Sequence, residues 1–193
     1  MTVAILPAAG ASRRMGRPKL LLPFRGRPLI AAVVDALRDG GVETIVLVTA
    51  PEDEDLRAWA RQVGVDVAVN PDPDRGMLSS IQEGLAALPR DQILLVSPAD
   101  LPRLRAGSVA ELLRRMVDAR APLAVPVHQG KRGHPLAIAP ALIPEIFTLD
   151  PRIGLKQLRD RHAAGLLEVA VDDPGVVMDV DTPEDYERLG GQD

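Results

Sequence analysis

TVAILPAAGASRRMGRPKLLLPFRGRPLIAAVVDALRDGGVETIVLVT, residues 2–49, is the stretch on which the fold class turns. It opens with residues 2–6, a β-branched apolar run that stops at Pro7 and Gly10 and predicts a buried strand. Residues 8–27 read as a long loop rich in Gly, Arg and Pro. Pro28 stands where a first-turn proline suits a helix, and Leu29, Ala32, Val33, Ala36 and Leu37 recur at helical spacing until Gly40 and Gly41. Residues 44–49, TIVLVT, form a second buried strand. Strand, helix, strand in this order is a βαβ unit, which makes the two strands parallel.

The same alternation continues outward. Residues 53–63 predict a helix with Leu56, Ala60 and Val63 inward, and residues 65–69 a strand. The polar turn NPDPDRG follows, then a helix over 77–88 and a strand over 92–97 that runs into Pro98, Ala99 and Asp100. A helix at 109–119, a strand at 123–127, the segment GKRGHP and a strand at 136–139 come next. Two short helices, a strand near 167–171 and a helix at 183–189 capped by Thr182 complete the chain. The pattern predicts one α/β domain over 1–193, Rossmann-like, with a mainly parallel sheet between two helical layers. Ligands of such sheets bind beyond the carboxyl ends of the strands. The glycine-rich loop, the NPDPDRGM turn and Asp100 all follow strand ends, so they are expected on one edge.

Composition narrows the chemistry. The 193 residues include no cysteine, which excludes disulfides, thiolate metal sites and a cysteine nucleophile. The three histidines, His128, His134 and His162, match no metal spacing, so a metal here is expected to be a hard cation on carboxylates, Mg²⁺ or Mn²⁺. A net charge of −4 and an aromatic content of 2% argue against nucleic-acid binding. No apolar run approaches membrane-spanning length and no signal-peptide pattern opens the chain, so a cytoplasmic protein is expected. Of 23 basic residues, Lys19, Lys131 and Lys156 are lysines and the rest arginines. In such a chain a lysine marks a place for a compact point charge.

Five segments carry candidate chemistry. In PAAGASRRMGRPK the small residues Ala8, Ala9 and Gly10 let backbone N–H groups approach a phosphate, and Arg14 and Lys19 add charge. The spacing is neither that of a Walker A loop nor that of a dinucleotide fingerprint. Asp100, at a strand end, can hold a divalent cation or simply enter a turn. In MDVDTPED, alternation sets Asp179 and Asp181 on one face, while Thr182, Pro183, Glu184 and Asp185 also suit a helix start. In NPDPDRGMLSS, Gly76 and the residues after it open a helix that can face a phosphate or cap itself. Lys131, Gly133 and His134 of GKRGHP suit a second anionic ligand or a solvated hairpin.

The first segment resembles the signature of nucleotidyltransferases that include the molybdenum cofactor cytidylyl- and guanylyltransferases and the sugar-phosphate nucleotidyltransferases. Gly10, Ser12, Arg14, Met15, Gly16 and Lys19 fall on signature positions, and the four other segments match the family's shorter motifs. The resemblance implies a fold of the nucleotide-diphospho-sugar transferase type and a loop that wraps the nucleotide phosphates, with Ser12, Arg14 and Lys19 among its contacts. It implies a Mg²⁺ site on Asp100 and on one of Asp179 and Asp181, Asp179 being favoured. It also implies a base pocket with Asn70, Gly76 and Ser79 and an acceptor side with Lys131, Gly133 and His134. The Pro7-Ala8-Ala9-Gly10 form of the loop points to CTP as donor and molybdopterin as acceptor, with a molybdoenzyme or chaperone receiving the product. GTP, or a sugar 1-phosphate acceptor, is the alternative within the family. A non-catalytic nucleotide-binding module is the alternative outside it.

Overall fold

β1 (Thr2–Pro7) is apolar from Val3 onward because both of its faces are covered. The computed structural model describes residues 1–10, 18–86 and 88–190. A short hairpin of β2 (Pro23–Phe24) and β3 (Arg27–Pro28) precedes α1 (Leu29–Asp39) and β4 (Thr44–Thr49). Then come α2 (Glu54–Gln62), β5 (Asp66–Val69), a 3₁₀ turn at Pro73–Arg75, α3 (Met77–Ala86) and β6 (Ile93–Val96). The second half runs α4 (Ala106–Ala119), β7 (Leu123–His128), β8 (Lys131–Arg132), β9 (Leu136–Ile138), α5 (Ile143–Ile146) and α6 (Leu155–Arg161). It ends with β10 (Leu166–Ala170), a 3₁₀ turn at Pro174–Val177 and α7 (Pro183–Arg188).

The eight-stranded main sheet has the order β10-β7-β9-β6-β1-β4-β5, with β8 on β7. β1 pairs in parallel with β4 and β6, β4 with β5, and β7 with β10. β9 runs antiparallel to both β6 and β7 and makes the sheet mixed. Alternation along β1 divides the core. Ala4 and Leu6 join Leu29, Leu37, Leu56, Val109, Leu112 and Tyr186 on one face, served by α1, α2, α4 and α7. Val3 and Ile5 join Leu78, Ile81, Leu85, Ile143, Ile146 and Leu158 on the other, served by α3, α5 and α6. This is the expected Rossmann-like three-layer arrangement.

Three local expectations are corrected. Residues 8–27 do not form one loop, because the β2–β3 hairpin occupies the end of that span and runs to Pro28. Pro28 is the residue before α1 rather than its first turn. α4 begins at Ala106, before Val109, because the Asp173 carboxylate accepts from the Arg105 N–H at 3.0 Å and the Ser108 hydroxyl at 2.8 Å. A cap supplied from so far along the chain leaves no mark in the local sequence.

β1 and β6 are neighbours whose chains go on to strands on opposite edges of the sheet, the switch point beyond which ligands of such sheets bind. The segments after β1, β5 and β6 open on this edge. Because β9 is antiparallel, the chain enters it from the same edge, through His134 and a cis peptide bond to Pro135. α7 closes the C-terminal side with a capping box in which the Thr182 side chain accepts from Asp185 N–H and the Asp185 carboxylate answers the Thr182 N–H. The Thr182 hydrogen bonds, with help from Arg188 and the Asp181 N–H, hold the Asp185 carboxyl down at about 2. Thr182→Ala is expected to lower stability by about 1 kcal/mol, with Thr182→Ser near wild type, in urea unfolding. Asp185's contribution is present above its ordinary pKa of 3.8 and disappears as the pH falls through about 2, so Asp185→Asn should flatten that part of an acid-unfolding curve.

Candidate active site

Lys19 stands between two carboxylates. Its Nζ donates to Asp100 Oδ2 at 2.5 Å, to Asp181 Oδ1 at 3.1 Å and to the Val180 carbonyl at 2.8 Å. The first loop supplies the ammonium, the segment after β6 supplies Asp100, and the stretch before α7 supplies Asp181. Burial alone would lower the lysine's pKa, but the Asp100 and Asp181 carboxylates raise it, so the ammonium stays charged. Burial pushes the Asp100 carboxyl up, and Asp179 and Asp181 add to that while Lys19 opposes it. Asp179 therefore lies within electrostatic reach of the pair, although its own side chain is exposed.

The expected alternation at Asp179 and Asp181 is present without a strand. Val180 is fully buried, and its N–H donates to the Asp100 carbonyl at 3.0 Å, which places the aspartates on either side of an inward valine. No cluster of three acidic or histidine side chains suited to a metal ion occurs among the described residues. Asp100 and Asp181 are brought together around an ammonium instead. Their donor set still suits a hard divalent cation: oxygen only, with two carboxylates sharing a single ammonium.

Sequence reasoning missed Asp173, which is 1% exposed and holds these loops in place. Besides the N-terminus of α4, its carboxylate accepts from the Gly175 N–H at 2.9 Å. Gly175 packs so tightly that a Cβ there would lie 2.1 Å from the Arg103 carbonyl oxygen, so the turn at Pro174–Val177 is seated on the segment that follows Asp100. The same turn receives the loop before β9. The Val176 carbonyl accepts from the His134 N–H at 2.8 Å, and a Cβ on Gly133 would lie 2.3 Å from that oxygen. One buried carboxylate thus registers the Asp100 segment, the GHP loop and the approach to Asp179 and Asp181.

The remaining candidates divide. Ala8 and Ala9 are buried at the end of β1, the Ala8 N–H donating to the Val48 carbonyl at 2.7 Å, and Gly10 is exposed. Ser12 and Arg14 lie outside the described residues. Asn70 is 1% exposed and turns inward, donating to the Ser79 and Ser80 hydroxyls at 2.8 and 3.0 Å and accepting from the Asp72 N–H. Ser79 donates to the Gly76 carbonyl at 2.8 Å. These two residues shape the turn that presents Gly76 and the start of α3. Gly76 takes a φ of 90° and lies beside the Pro151 carbonyl, so residues near 151 flank this end of the edge. Lys131 is exposed on the β7–β8 hairpin. His134 keeps part of its surface in solvent, yet burial lowers its pKa, and Arg159 lowers it further against the pull of Asp179 and Asp100.

Residues 4–183 match the family model of the MobA-like NTP transferase domain. The chain belongs to that family. It is 29% identical to the molybdenum cofactor cytidylyltransferase of Escherichia coli (strain K12), over 94% of this chain and 92% of that protein. It is 32% identical to a protein of Paenarthrobacter nicotinovorans named nicotine blue oxidoreductase, over 96% of this chain and 94% of that one. The crystal structure of Rv0371c from Mycobacterium tuberculosis H37Rv superposes with a TM-score of 0.82 at 27% identity, covering 97% of this chain and 96% of that one. A complex of that protein with manganese gives a TM-score of 0.78.

Asp173→Asn turns an amide NH₂ toward fixed N–H donors. The variant is expected to lose about 1–3 kcal/mol of stability in chemical denaturation, well beyond an exposed Asp172→Asn control.

Proposed function

We propose that this member of the family transfers a nucleoside monophosphate from an NTP, CTP in particular, to the phosphate of molybdopterin, with release of pyrophosphate. The observation that carries this reading is the Lys19 ammonium held between Asp100 and Asp181 beyond the ends of β1 and β6. A lysine so placed can turn from carboxylate to phosphate within one site. Support for CTP comes from Ala9, whose methyl is buried at the start of the loop and leaves less room for a purine than glycine would. The whole-chain relation to a cytidylyltransferase supports both donor and acceptor.

A phosphate monoester has a second pKa of about 6, so the acceptor arrives largely as a dianion and needs no general base. One of its oxygens bonds to the α-phosphorus of the NTP. The bond from that phosphorus to the α–β bridging oxygen breaks, and its electron pair leaves on pyrophosphate. Charge neutralisation and alignment do the work. Lys19 and Arg14 stabilise the triphosphate as charge moves to the leaving group, and the backbone N–H groups near Gly10 orient it. A divalent cation held by Asp100 with Asp179 or Asp181 would supply further neutralisation at the phosphates.

The relative named nicotine blue oxidoreductase favours a second reading, electron transfer to or from a small organic substrate. The two separate in one assay. Pyrophosphate release is measured with Mg²⁺ and each NTP against molybdopterin and sugar 1-phosphates, beside NADH and NADPH oxidation with aromatic acceptors. Release with CTP and molybdopterin is the expected result; nicotinamide oxidation without release favours the second reading, and neither favours a nucleotide-binding module. Lys19→Ala and Asp100→Ala should each lower kcat by roughly 100- to 1000-fold. Near-normal turnover by a folded Asp100→Ala protein contradicts the assignment.

A further inference from the structure

The Lys19 ammonium uses all three of its N–H groups inside the site: on Asp100 Oδ2 at 2.5 Å, on the Val180 carbonyl at 2.8 Å and on Asp181 Oδ1 at 3.1 Å. While it stands there it has no donor left for a phosphate. The lysine and Asp100 side chains are each 14% exposed, so this is a held position and not a solvated surface pair. The three acceptors are all oxygens, two of them anionic, which is the set that a hard divalent cation takes as well. A divalent cation on the same oxygens would lie within about 4 Å of the ammonium, where like charges repel strongly at a half-buried site. The ammonium and the metal therefore use these oxygens in turn.

The cradle keeps its shape without help from the lysine. The Val180 N–H donates to the Asp100 carbonyl at 3.0 Å and joins the two acidic segments, and the Asp181 N–H donates to Asp185 Oδ2 at 3.2 Å. The backbone on the lysine's side is pinned as well. The Lys19 carbonyl accepts from the Leu22 N–H at 3.1 Å, and the Leu20 carbonyl from the Ile30 N–H at 3.0 Å. Exchange is thus a swing of one flexible side chain between fixed backbones.

We propose that Lys19 is a resident cation that keeps divalent metal off Asp100 and Asp181 until a polyphosphate draws the ammonium away, so that the chain takes up metal with its nucleotide and not before it. Identification of the polyphosphate as an NTP rests on the nucleotide-transfer reading; exclusion of metal by the lysine does not. Metal alone meets oxygens that are already taken. A triphosphate offers the ammonium new acceptors and so releases the carboxylates to the metal that accompanies it. Deleting the lysine's charge should then improve metal binding, the opposite of what loss of a ligand does.

Mn²⁺ is titrated into nucleotide-free wild type, Lys19→Met, Lys19→Arg and the double variant Lys19→Met with Asp100→Asn, the free ion being read by electron paramagnetic resonance. Lys19→Met is expected to bind Mn²⁺ roughly tenfold or more tighter than wild type, Lys19→Arg, which keeps the charge, close to wild type, and the double variant to lose most of the gain. The melting temperature with and without Mn²⁺ gives a second reading that holds even where Lys19→Met is less stable, because Mn²⁺ should raise it more in that variant than in wild type. Equal Mn²⁺ affinity and equal melting shifts in wild type and Lys19→Met overturn the proposal. A gain of the same size in Lys19→Arg, or one that survives Asp100→Asn, also overturns it. Pyrophosphate release is scored separately. Tighter Mn²⁺ binding by Lys19→Met, without release by wild type with any NTP, removes the transfer reading and leaves the exclusion standing. Release by wild type, with no metal gain in Lys19→Met, removes the exclusion and leaves transfer standing.

Discussion

Two carboxylates cannot be brought together at a half-buried sheet edge without a cation, and in this chain Lys19 provides it. Its ammonium bonds to Asp100, to Asp181 and to the carbonyl between Asp181 and Asp179. These groups come from segments separated by 81 and 162 residues, so the contact closes the first loop over both later ones. Breaking one partner of such a cluster leaves the others uncompensated. The charge that stabilises the folded site is also the charge that a polyanionic substrate would recruit. Binding and local order are therefore competing uses of one side chain.

Behind that contact stands a second layer of construction. Asp173 fastens the turn at Pro174–Val177 to the N-terminus of α4, and two glycines with no room for a Cβ let the backbones meet. The Tyr186 hydroxyl, donating to the Pro23 carbonyl at 2.5 Å, ties α7 to the hairpin that follows the first loop. The site is thus held at its rim by hydrogen bonds from two side chains, Asp173 and Tyr186, to backbone groups.

Much of this was legible in the sequence. The run at residues 44–49 could only be a strand, and the spacing from Leu29 to Leu37 only a helix, because each matches one period and buries one continuous surface. Lys19 stood out by residue type, as one of three lysines, and Asp100 by its position after a strand. Asn70 and Ser79 were recognisable as loop-forming, but the direction of their polar atoms depends on how β5 meets α3, and the fold turns them inward. Asp173 was not legible. Asp173 sits in DDPG, which reads as an ordinary turn, and its partners Arg105 and Ser108 lie 68 and 65 residues away.

The central claim is that the carboxylates gathered by Lys19 form the place where a metal-bound nucleotide engages the chain. Mn²⁺ binding followed by electron paramagnetic resonance, with and without CTP, tests it most directly. The account predicts that CTP strengthens Mn²⁺ binding to one ion per chain, and that a folded Asp100→Asn protein loses this enhancement. Mn²⁺ binding that is indifferent to CTP, or unchanged by Asp100→Asn, would contradict it.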